Sequence, residues 1–255
     1  MAMLEAKCLE KVYTTRFGSN QVKALSGVSF SVDQGEYVAI MGESGSGKTT
    51  LLNILAALDQ PTKGEVILDG RKLSKVSEKE LAAFRRDNLG FVFQDFNLLD
   101  TFTLKDNIFL PLVLSGEKYQ TMEAKPKPLA EQLGIASLLN KYPYEVSGGQ
   151  KQRAAVARAL ITKPKLLLAD EPTGNLDSKT SQDVLSLLKV TSLRFSQTIV
   201  MITHNEEIAQ LADRVICIED GHIVVRGVIP CCVYRINPAS VTCQKRVLRY
   251  RKREI

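Results

Sequence analysis

The chain has 255 residues, of which 44% are hydrophobic and 24% are charged, as in an ordinary globular protein with one large domain. Its formal net charge of +6 would suit a nucleic-acid-binding protein. The whole excess, however, lies in residues 228–255, which hold seven Lys or Arg residues and one acid. Residues 1–227 are neutral, so the composition argues against nucleic acid as a partner of the folded body.

The sequence predicts no membrane-spanning helix of its own. The longest apolar stretches, such as Leu51–Leu58 and Ile108–Gly116, are well short of the roughly 18 residues that cross a bilayer. The first residues lack the apolar region of a secretory signal, so we expect a cytoplasmic protein that acts at a membrane only through a partner. In that compartment Cys8 and Cys217, which lie in apolar or alternating contexts, are expected to be buried, reduced thiols.

The first third of the chain predicts strands, a glycine-rich turn and a helix. Val28–Val32 alternates apolar and polar residues with the period of a short strand, and Val66–Gly70 reads as a strand that ends in a turn. Tyr37–Met41 is uniformly apolar, as buried parallel strands are. Apolar residues from Leu51 to Leu58 recur at helical spacing, which predicts a helix after the turn.

Two further buried strands are predicted late in the chain, over Lys165–Asp170 and Thr198–Thr203. Buried strands that alternate with helical patterns indicate an α/β protein with a largely parallel sheet. The segment from about 95 to 160 is mostly helical in pattern and interrupts this alternation, so we interpret it as an inserted helical subdomain. Within it, Pro126 and Pro128 require any helix to end or restart.

The strongest motif is the phosphate-loop pattern G-x-x-x-x-G-K-[ST], which lies between the predicted strand and helix. Its glycines allow successive backbone N–H groups to face phosphate oxygens, and the helix N-terminus adds partial positive charge. Lys48 is expected to reach the β- and γ-phosphates of ATP, and the Thr49 hydroxyl to bind Mg²⁺. The residues predicted to contact the nucleotide here are Gly42, Ser44, Gly45, Ser46, Gly47, Lys48, Thr49 and Thr50. The alternative, a chance glycine-rich turn, is disfavoured by this strand–loop–helix context.

A second motif is the apolar strand that ends in Asp170 and Glu171. It places two carboxylates at the C-terminal edge of the sheet, beside the phosphate loop. Asp170 is expected to hold Mg²⁺ through water, as in other P-loop ATPases, and Glu171 to polarise the attacking water. The alternative, a solvated acidic turn, is disfavoured by the accompanying phosphate loop.

The segment Val146–Gln150 resembles the L-S-G-G-Q signature of ABC (ATP-binding cassette) ATPases, with Val in place of Leu. Lys151–Arg153 continues the family pattern, and the resemblance extends from about Tyr13 to Gly227. It implies an ATPase with a P-loop NTPase core of RecA-like type, built on a parallel sheet. It also implies an N-terminal antiparallel β subdomain and an inserted helical subdomain, together forming one domain over residues 1–227.

The resemblance also implies roles for residues that no local pattern identifies. Gln94 is similar to the glutamine of the Q-loop, which binds the metal, and Asp177 to the last residue of the D-loop, which contacts nucleotide. His204 is similar to the switch histidine, so the implied catalytic residues are Glu171, His204 and Gln94. Tyr13 is similar to the aromatic residue that stacks on adenine, with Phe17 as a competing candidate.

By the same resemblance, two copies of the chain assemble head to tail around ATP. Each nucleotide lies between the phosphate loop of one copy and Ser147, Gly148, Gly149 and Gln150 of the other. Hydrolysis removes the γ-phosphate contacts and lets the halves part, which drives a separate integral membrane permease. Gln94 faces that permease, so the implied location is the inner face of the cell membrane, with the protein attached peripherally.

Among ABC ATPases, the chain is similar to those of macrolide export and lipoprotein release, and most of all to the bacitracin-resistance (BceA-like) subgroup. The segments that carry this similarity are Lys11–Asn20, Gly42–Gly45, Leu55–Asp59 and Phe93–Leu99. It implies antimicrobial-peptide export or resistance, with lipoprotein release or cell-division force transmission as alternatives. A DNA-repair or translation ATPase fits less well, because the chain has one cassette and no heptad run. The permease selects the substrate, so the identity of the substrate depends on the permease sequence.

Residues 228–255 depart from the family pattern, being basic and containing three cysteines. We expect a poorly ordered tail without a catalytic role. One alternative is an altered reading frame or a truncated natural end. Another is a patch for anionic lipid headgroups, which would contribute about 1 kcal/mol for each Lys or Arg near the surface.

Overall fold

The computed structural model describes residues 2–14, 21–122 and 125–224. Phe17 and the basic tail predicted for residues 228–255 lie outside these ranges. The strands are β1 (Ala2–Thr14), β2 (Gln21–Asp33), β3 (Tyr37–Met41), β4 (Lys63–Leu68), β5 (Arg71–Lys72), β6 (Leu89–Val92), β7 (Leu166–Asp170), β8 (Thr198–Thr203), β9 (Arg214–Glu219) and β10 (His222–Val224). The α-helices are α1 (Lys48–Leu55), α2 (Glu78–Asn88), α3 (Leu104–Leu114), α4 (Tyr119–Met122), α5 (Pro126–Gln132), α6 (Gly148–Leu160), α7 (Ser178–Phe195) and α8 (Glu206–Ala209).

Strands β2, β1, β4 and β5 form an antiparallel sheet in that order, which confirms the predicted N-terminal β subdomain. Strand β2 is much longer than the segment Val28–Val32 that alternation predicts. The reason is that bulges shift the pairing of β1 with β2 at several points, for example between Ala6 and Leu9. Each bulge adds a residue and interrupts the period-two pattern by which a strand is recognised.

One of these bulges also overturns the prediction that Cys8 is buried. Cys8 has a φ of 47° and its side chain is exposed, while its neighbour Leu9 is fully buried. A Cβ atom on Gly64 of β4 would lie only 2.3 Å from the Cys8 carbonyl oxygen, so the bulged backbone needs a glycine opposite it. Cys217 of β9 is half-buried.

The second sheet has the order β10-β9-β3-β8-β7-β6, and all of its pairings are parallel except that of β9 with β10. The predicted α/β class with a largely parallel sheet is therefore confirmed. Strands β7, β8 and β3 are neighbours, so their C-terminal ends meet at one edge of the sheet. In open α/β sheets this edge is where ligands bind.

The central strands are largely apolar because each faces two hydrophobic cores. In β3, Val38 and Ile40 join the core shared with α1 and the antiparallel sheet. Tyr37 and Ala39 join the core on the other face, where α3, α6 and α7 pack. Both faces of β3 are therefore shielded from water, and a polar side chain there would have to be desolvated.

Helices α3 to α6 lie between β6 and β7, in the segment predicted to be a helical insertion. Helix α5 starts at Pro126, where the missing N–H of proline costs no helical hydrogen bond. Thr103 caps the N-terminus of α3 and forms a reciprocal capping box with Asp106. Across the described ranges, no helix combines the length and apolar character that crossing a bilayer requires.

Candidate functional site

The glycine-rich turn joins the end of β3 to the start of α1. Gly47 directly precedes α1 with a φ of 100°, and a Cβ atom there would lie 2.4 Å from the Ala24 carbonyl oxygen of β2. A Cβ atom on Gly42 would lie 2.3 Å from the Ile218 carbonyl oxygen of β9. The turn is thus wedged between the backbones of two strands, and only glycine fits at either end.

The turn carries features that suit an anion. Lys48 is only 7% exposed, and its ammonium nitrogen donates to the carbonyl oxygens of Gly42 at 2.8 Å and Glu43 at 2.6 Å. Within the described part of the chain no side chain caps the N-terminus of α1, so the positive end of the helix dipole is left beside this lysine. A polyphosphate would satisfy both the lysine and the first N–H groups of the helix.

Ser46 also fits a polyphosphate ligand. Its hydroxyl oxygen is buried and has no hydrogen-bond partner among the described residues, which a native structure rarely leaves unexplained. Its carbonyl oxygen accepts a 3.1 Å hydrogen bond from the Gly221 N–H, which fastens the turn to the β9–β10 connection. By contrast, a Cβ atom on Gly45 would meet no atom of the described residues within 4 Å, so among them the tip of the turn is open to a ligand.

Asp170 and Glu171 follow β7 at the same sheet edge. Burial raises the pKa of the Asp170 carboxyl, the charge of Glu171 raises it further, and the charge of Lys48 lowers it. Two acids and a lysine therefore share one electrostatic environment. A divalent cation there would relieve the repulsion between the acids, and oxygen donors are what Mg²⁺ prefers. Asp170, the Thr49 hydroxyl and the Gln94 amide are the oxygen donors that the sequence predicts for such an ion, and Thr49 is exposed.

Glu171 lies in direct contact with His204, which follows the neighbouring strand β8. The Glu171 carboxylate oxygen Oε1 lies 2.9 Å from His204 Nδ1. Glu171 has a φ of 42°, and its N–H donates to the Ile202 carbonyl oxygen at 3.0 Å. A left-handed backbone conformation is uncommon at non-glycine residues. Such residues occur most often at functional sites, where the surrounding structure stabilises the strained conformation.

Gln94 follows β6 and contacts the loop after Glu171. Its side-chain nitrogen Nε2 donates to Asn175 Oδ1 at 3.1 Å, and a Cβ atom on Gly174 would lie 2.9 Å from Gln94 Cδ. The buried side chain of Gln152 from α6 also reaches this region, donating to the carbonyl oxygens of Phe93 at 3.3 Å and Pro172 at 2.5 Å. Sequence reasoning assigned no role to Asn175 or Gln152, because their partners are distant in the chain.

Ser147 is the N-cap of α6 and forms a capping box with Gln150. The Ser147 hydroxyl accepts from the Gln150 N–H at 3.4 Å, and Gln150 Oε1 accepts from the Ser147 N–H at 2.9 Å. A Cβ atom on Gly149 would lie 2.2 Å from Thr180 Cγ2, so this glycine allows α6 and α7 to approach closely. Among the described residues, no hydrogen bond joins Ser147 or Gln150 to the phosphate loop of the same chain.

Asp177 is the N-cap of α7. Its two carboxylate oxygens accept from the Thr180 hydroxyl at 2.6 Å and the Thr180 N–H at 3.0 Å. These hydrogen bonds hold the pKa of the Asp177 carboxyl below its usual range. Like Ser147, Asp177 therefore begins a helix in its own chain.

Tyr13 lies near the end of β1 with 42% of its surface exposed. Its hydroxyl donates to Asp59 Oδ2 at 2.9 Å, and the Lys11 ammonium lies 4.9 Å from its ring centroid. Lys11 also donates to Asp59 Oδ1 at 2.6 Å. Burial tends to raise the pKa of Asp59, but the hydrogen bonds from Lys11 and Tyr13 bring it below its usual value. Tyr13 is thus held in place by two residues that sequence reasoning did not identify.

Known proteins match this chain over most of its length. A family model described as ABC transporter matches residues 25–174. The ABC transporter ATP-binding protein YxdL of Bacillus subtilis is 51% identical over 221 residues, which are 87% of this chain and 85% of the relative. The bacitracin export ATP-binding protein BceA of Halalkalibacterium halodurans is 48% identical over 223 residues, 88% of this chain and 87% of the relative. The dimeric structure of the ATP-binding cassette MJ0796 bound to ADP and Pi has a TM-score of 0.79 and 38% identity, and the match covers 89% of this chain and all of that one.

Proposed function

We propose that this chain, which belongs to the ABC transporter family and is an ATP-binding ATPase subunit, powers antimicrobial-peptide export or resistance through a separate membrane permease. The observation that carries the proposal is the arrangement of Lys48, Glu171 and His204 at one sheet edge, in a chain similar to a bacitracin export ATPase. The location follows from this proposal: the chain works in the cytoplasm, at the inner face of the membrane that holds the permease.

The residues at the sheet edge have different roles in ATP hydrolysis. Lys48, the exposed tip of the turn and the N-terminus of α1 bind the β- and γ-phosphates. Glu171 accepts the proton of the attacking water, and His204 orients the Glu171 carboxylate and reaches toward the γ-phosphate. Thr49, Asp170 and Gln94 would hold Mg²⁺, which would supply positive charge that offsets the charge of the phosphates.

The second half of each site comes from a second copy of the chain. The capping box of Ser147 and Gln150 leaves the backbone N–H groups of Gly148 and Gly149 at the positive end of α6, which suits a γ-phosphate. The phosphate that this turn binds is that of the partner copy, across a dimer interface. Asp177 faces the same interface, and the dimeric state of the similar cassette MJ0796 supports this arrangement.

Tyr13 completes the nucleotide site by stacking on adenine. The face of its ring nearest Lys11 is covered by the ammonium group, so the base would use the opposite face. The hydrogen bond to Asp59 limits rotation of the ring, which reduces the entropy lost when the base binds.

The permease binds an apolar surface on and around α3. Large apolar side chains are exposed on the loop before α3, on α3 itself and just after it. They are Leu99, Phe102, Val113, Leu114 and Tyr119. The buried Asn107 fixes the loop, because its side chain bonds to Leu99 and Phe102 backbone atoms at 2.7 to 3.2 Å. A firm apolar surface of this kind is typical of a protein–protein interface.

The test reconstitutes the chain with its permease in lipid vesicles and measures phosphate release with and without bacitracin-type peptides. We expect peptide to change the ATPase rate several-fold, and Lys48→Ala to abolish the response. In cells, loss of the chain should increase sensitivity to the peptide, and the wild-type chain should restore resistance. A permease-stimulated ATPase that no such peptide affects would instead favour lipoprotein release or force transmission.

A further inference from the structure

The loop after Glu171 contains an asparagine whose side chain bridges two residues of the loop after β6. Asn175 Nδ2 donates to Asp95 Oδ1 at 2.7 Å and to the Gln94 carbonyl oxygen at 3.3 Å. Asn175 Oδ1 accepts from Gln94 Nε2 at 3.1 Å. The three side chains Asp95, Asn175 and Gln94 thus form a chain of hydrogen bonds in which each amide end has a defined partner.

The direction of these hydrogen bonds is determined by Asp95. An ionised carboxylate only accepts hydrogen bonds, so the Asn175 amide must present its nitrogen to Asp95. The Asn175 oxygen then faces Gln94, so Gln94 must donate a hydrogen bond to it from its amide nitrogen. The nitrogen and oxygen of a primary amide point in different directions, so Gln94 Oε1 is turned away from Asn175. Amide orientation is normally ambiguous, but a charged acceptor at one end removes the ambiguity.

Gly174 restrains the same glutamine from a second side. A Cβ atom on Gly174 would lie 2.9 Å from both Cδ and Nε2 of Gln94, closer than packed atoms tolerate. The Gln94 amide therefore rests against the backbone of the residue before Asn175. Any larger residue at position 174 would displace it.

We propose that Asn175, oriented by Asp95, is a positioning residue that fixes the Gln94 amide so that its Oε1 is the atom offered to the Mg²⁺ of bound ATP. The inference rests on the proposed function, since it takes Gln94 as a metal-binding residue. Mg²⁺ binds oxygen, and a flipped amide would present an N–H donor instead. Partners that orient a metal ligand in this way usually change metal affinity by 10- to 100-fold when they are removed.

The experiment measures how much Mg²⁺ strengthens ATP binding. The dissociation constant of ATP is measured by equilibrium dialysis, once with EDTA and once with saturating Mg²⁺, in a Glu171→Gln background kept dilute enough to remain monomeric. Because linkage is reciprocal, the ratio of the two constants equals the gain in Mg²⁺ affinity when ATP binds the protein. This ratio does not depend on activity.

We expect Asn175→Ala to lower the ratio about tenfold and to leave the EDTA constant within about twofold. Gly174→Ala should act in the same direction. In Asp95→Asn the new amide can either accept or donate a hydrogen bond, so it orients Asn175 less strictly. This variant should lower the ratio by less than Asn175→Ala does. The matched control is Asp100→Asn, which removes the same charge from an exposed residue of the same loop and should leave the ratio unchanged. Asp95→Asn keeps the test decisive if Asn175→Ala does not fold.

A double-mutant cycle separates this positioning role from a structural one. If Asn175 acts through Gln94, Gln94→Ala lowers the ratio and adding Asn175→Ala lowers it no further. The role of Asn175 alone is overturned if Asn175→Ala keeps the wild-type ratio of ATP dissociation constants. It is also overturned if Asn175→Ala lowers this ratio as much in the Gln94→Ala background as in the wild-type background. A full ratio in Gln94→Ala overturns the metal role of Gln94, and the inference with it.

Discussion

His204 Nδ1 lies 2.9 Å from Glu171 Oε1, although the two residues are 33 positions apart in the chain. The contact arises because each residue directly follows a strand, and those strands, β7 and β8, pair in parallel. The Glu171 side chain is 24% exposed and that of His204 is 65% exposed. The histidine therefore lies on the solvent side of the carboxylate, where a second molecule or the γ-phosphate can reach it.

Glu171→Gln should separate binding from chemistry. The amide preserves the shape of the carboxylate but cannot accept a proton from water. ATP binding should survive, and hydrolysis should fall by about 10²- to 10⁴-fold, the usual contribution of a positioned general base. Phosphate release and equilibrium dialysis with ATP measure the two effects. Normal hydrolysis in this variant would remove Glu171 from its proposed role.

The same variant should reveal the dimer. With hydrolysis blocked, Glu171→Gln should run as a dimer on a sizing column with ATP and Mg²⁺, and as a monomer with ADP. Adding Ser147→Arg should keep ATP binding but prevent dimerisation, because a bulky cation blocks the contact between copies. Ser147→Thr, which retains the helix cap, is the matched control and should still dimerise. Dimerisation of the Ser147→Arg protein would exclude this turn from the interface.

Lys48→Ala should abolish tight ATP binding, because the ammonium group is the main side-chain counter-charge to the phosphates. At an ATP concentration one hundred times its dissociation constant, the wild-type protein should gain roughly 2.7 kcal/mol of stability in a thermal-shift titration. The variant should gain almost none. Lys75→Ala, at an exposed lysine, should behave as wild type. A full shift in Lys48→Ala would refute the assignment of the site.

Asp59 should make stability depend on pH in the acid range. Its folded pKa lies below its usual value, so its stabilising contribution is present above the unfolded value of about 3.9. That contribution is lost as the pH falls through the folded value. Urea midpoints at pH 6 and pH 3 should differ more in wild type than in Asp59→Asn. Asp100→Asn should keep the wild-type difference between the two urea midpoints. If Asp100→Asn reduced this difference as much as Asp59→Asn does, the pH dependence would reflect net charge and not the hydrogen bonds of Asp59.

Leu114→Glu should uncouple the ATPase from its permease. Leu114 is 70% exposed at the end of α3, within the apolar surface proposed to bind the permease. Stimulation by the permease in vesicles should be lost, while the basal rate should stay within about twofold. Leu193→Glu, at an exposed position on α7, controls for added surface charge. An equal loss of basal activity would mean that Leu114 supports the fold instead.

Patterns local in the sequence predicted the fold well where burial was uniform. β3 and β8 have the bounds predicted from Tyr37–Met41 and Thr198–Thr203, since strands buried on both faces contain no polar interruptions. Alternation predicted only Val28–Val32 of β2 and gave no bounds for β1, because register shifts break the alternation of both strands. The exposed Cys8 is one result, since a bulge depends on the pairing strand as well as on the residue itself.

The candidate site also contains residues that local patterns predicted and residues that they did not. The phosphate loop and the Asp170–Glu171 pair were predicted because each is contiguous and its spacing follows from its chemistry. Asn175, which is 81 positions from Gln94, and Asp59, which is 46 positions from Tyr13, had no local signal. Their importance depends on hydrogen bonds across the fold, which one sequence does not reveal.

The wedging of the phosphate loop has a consequence for synthesis on the ribosome. The loop rests on Ala24 and Ile218 and is bonded to Gly221, and the strand before it, β3, pairs with β8 and β9. All of these partners except Ala24 are translated at the end of the folded body. A nascent chain that stops before residue 221 therefore lacks the supports that shape the loop. Nucleotide can therefore act as a folding ligand only once the chain is nearly complete.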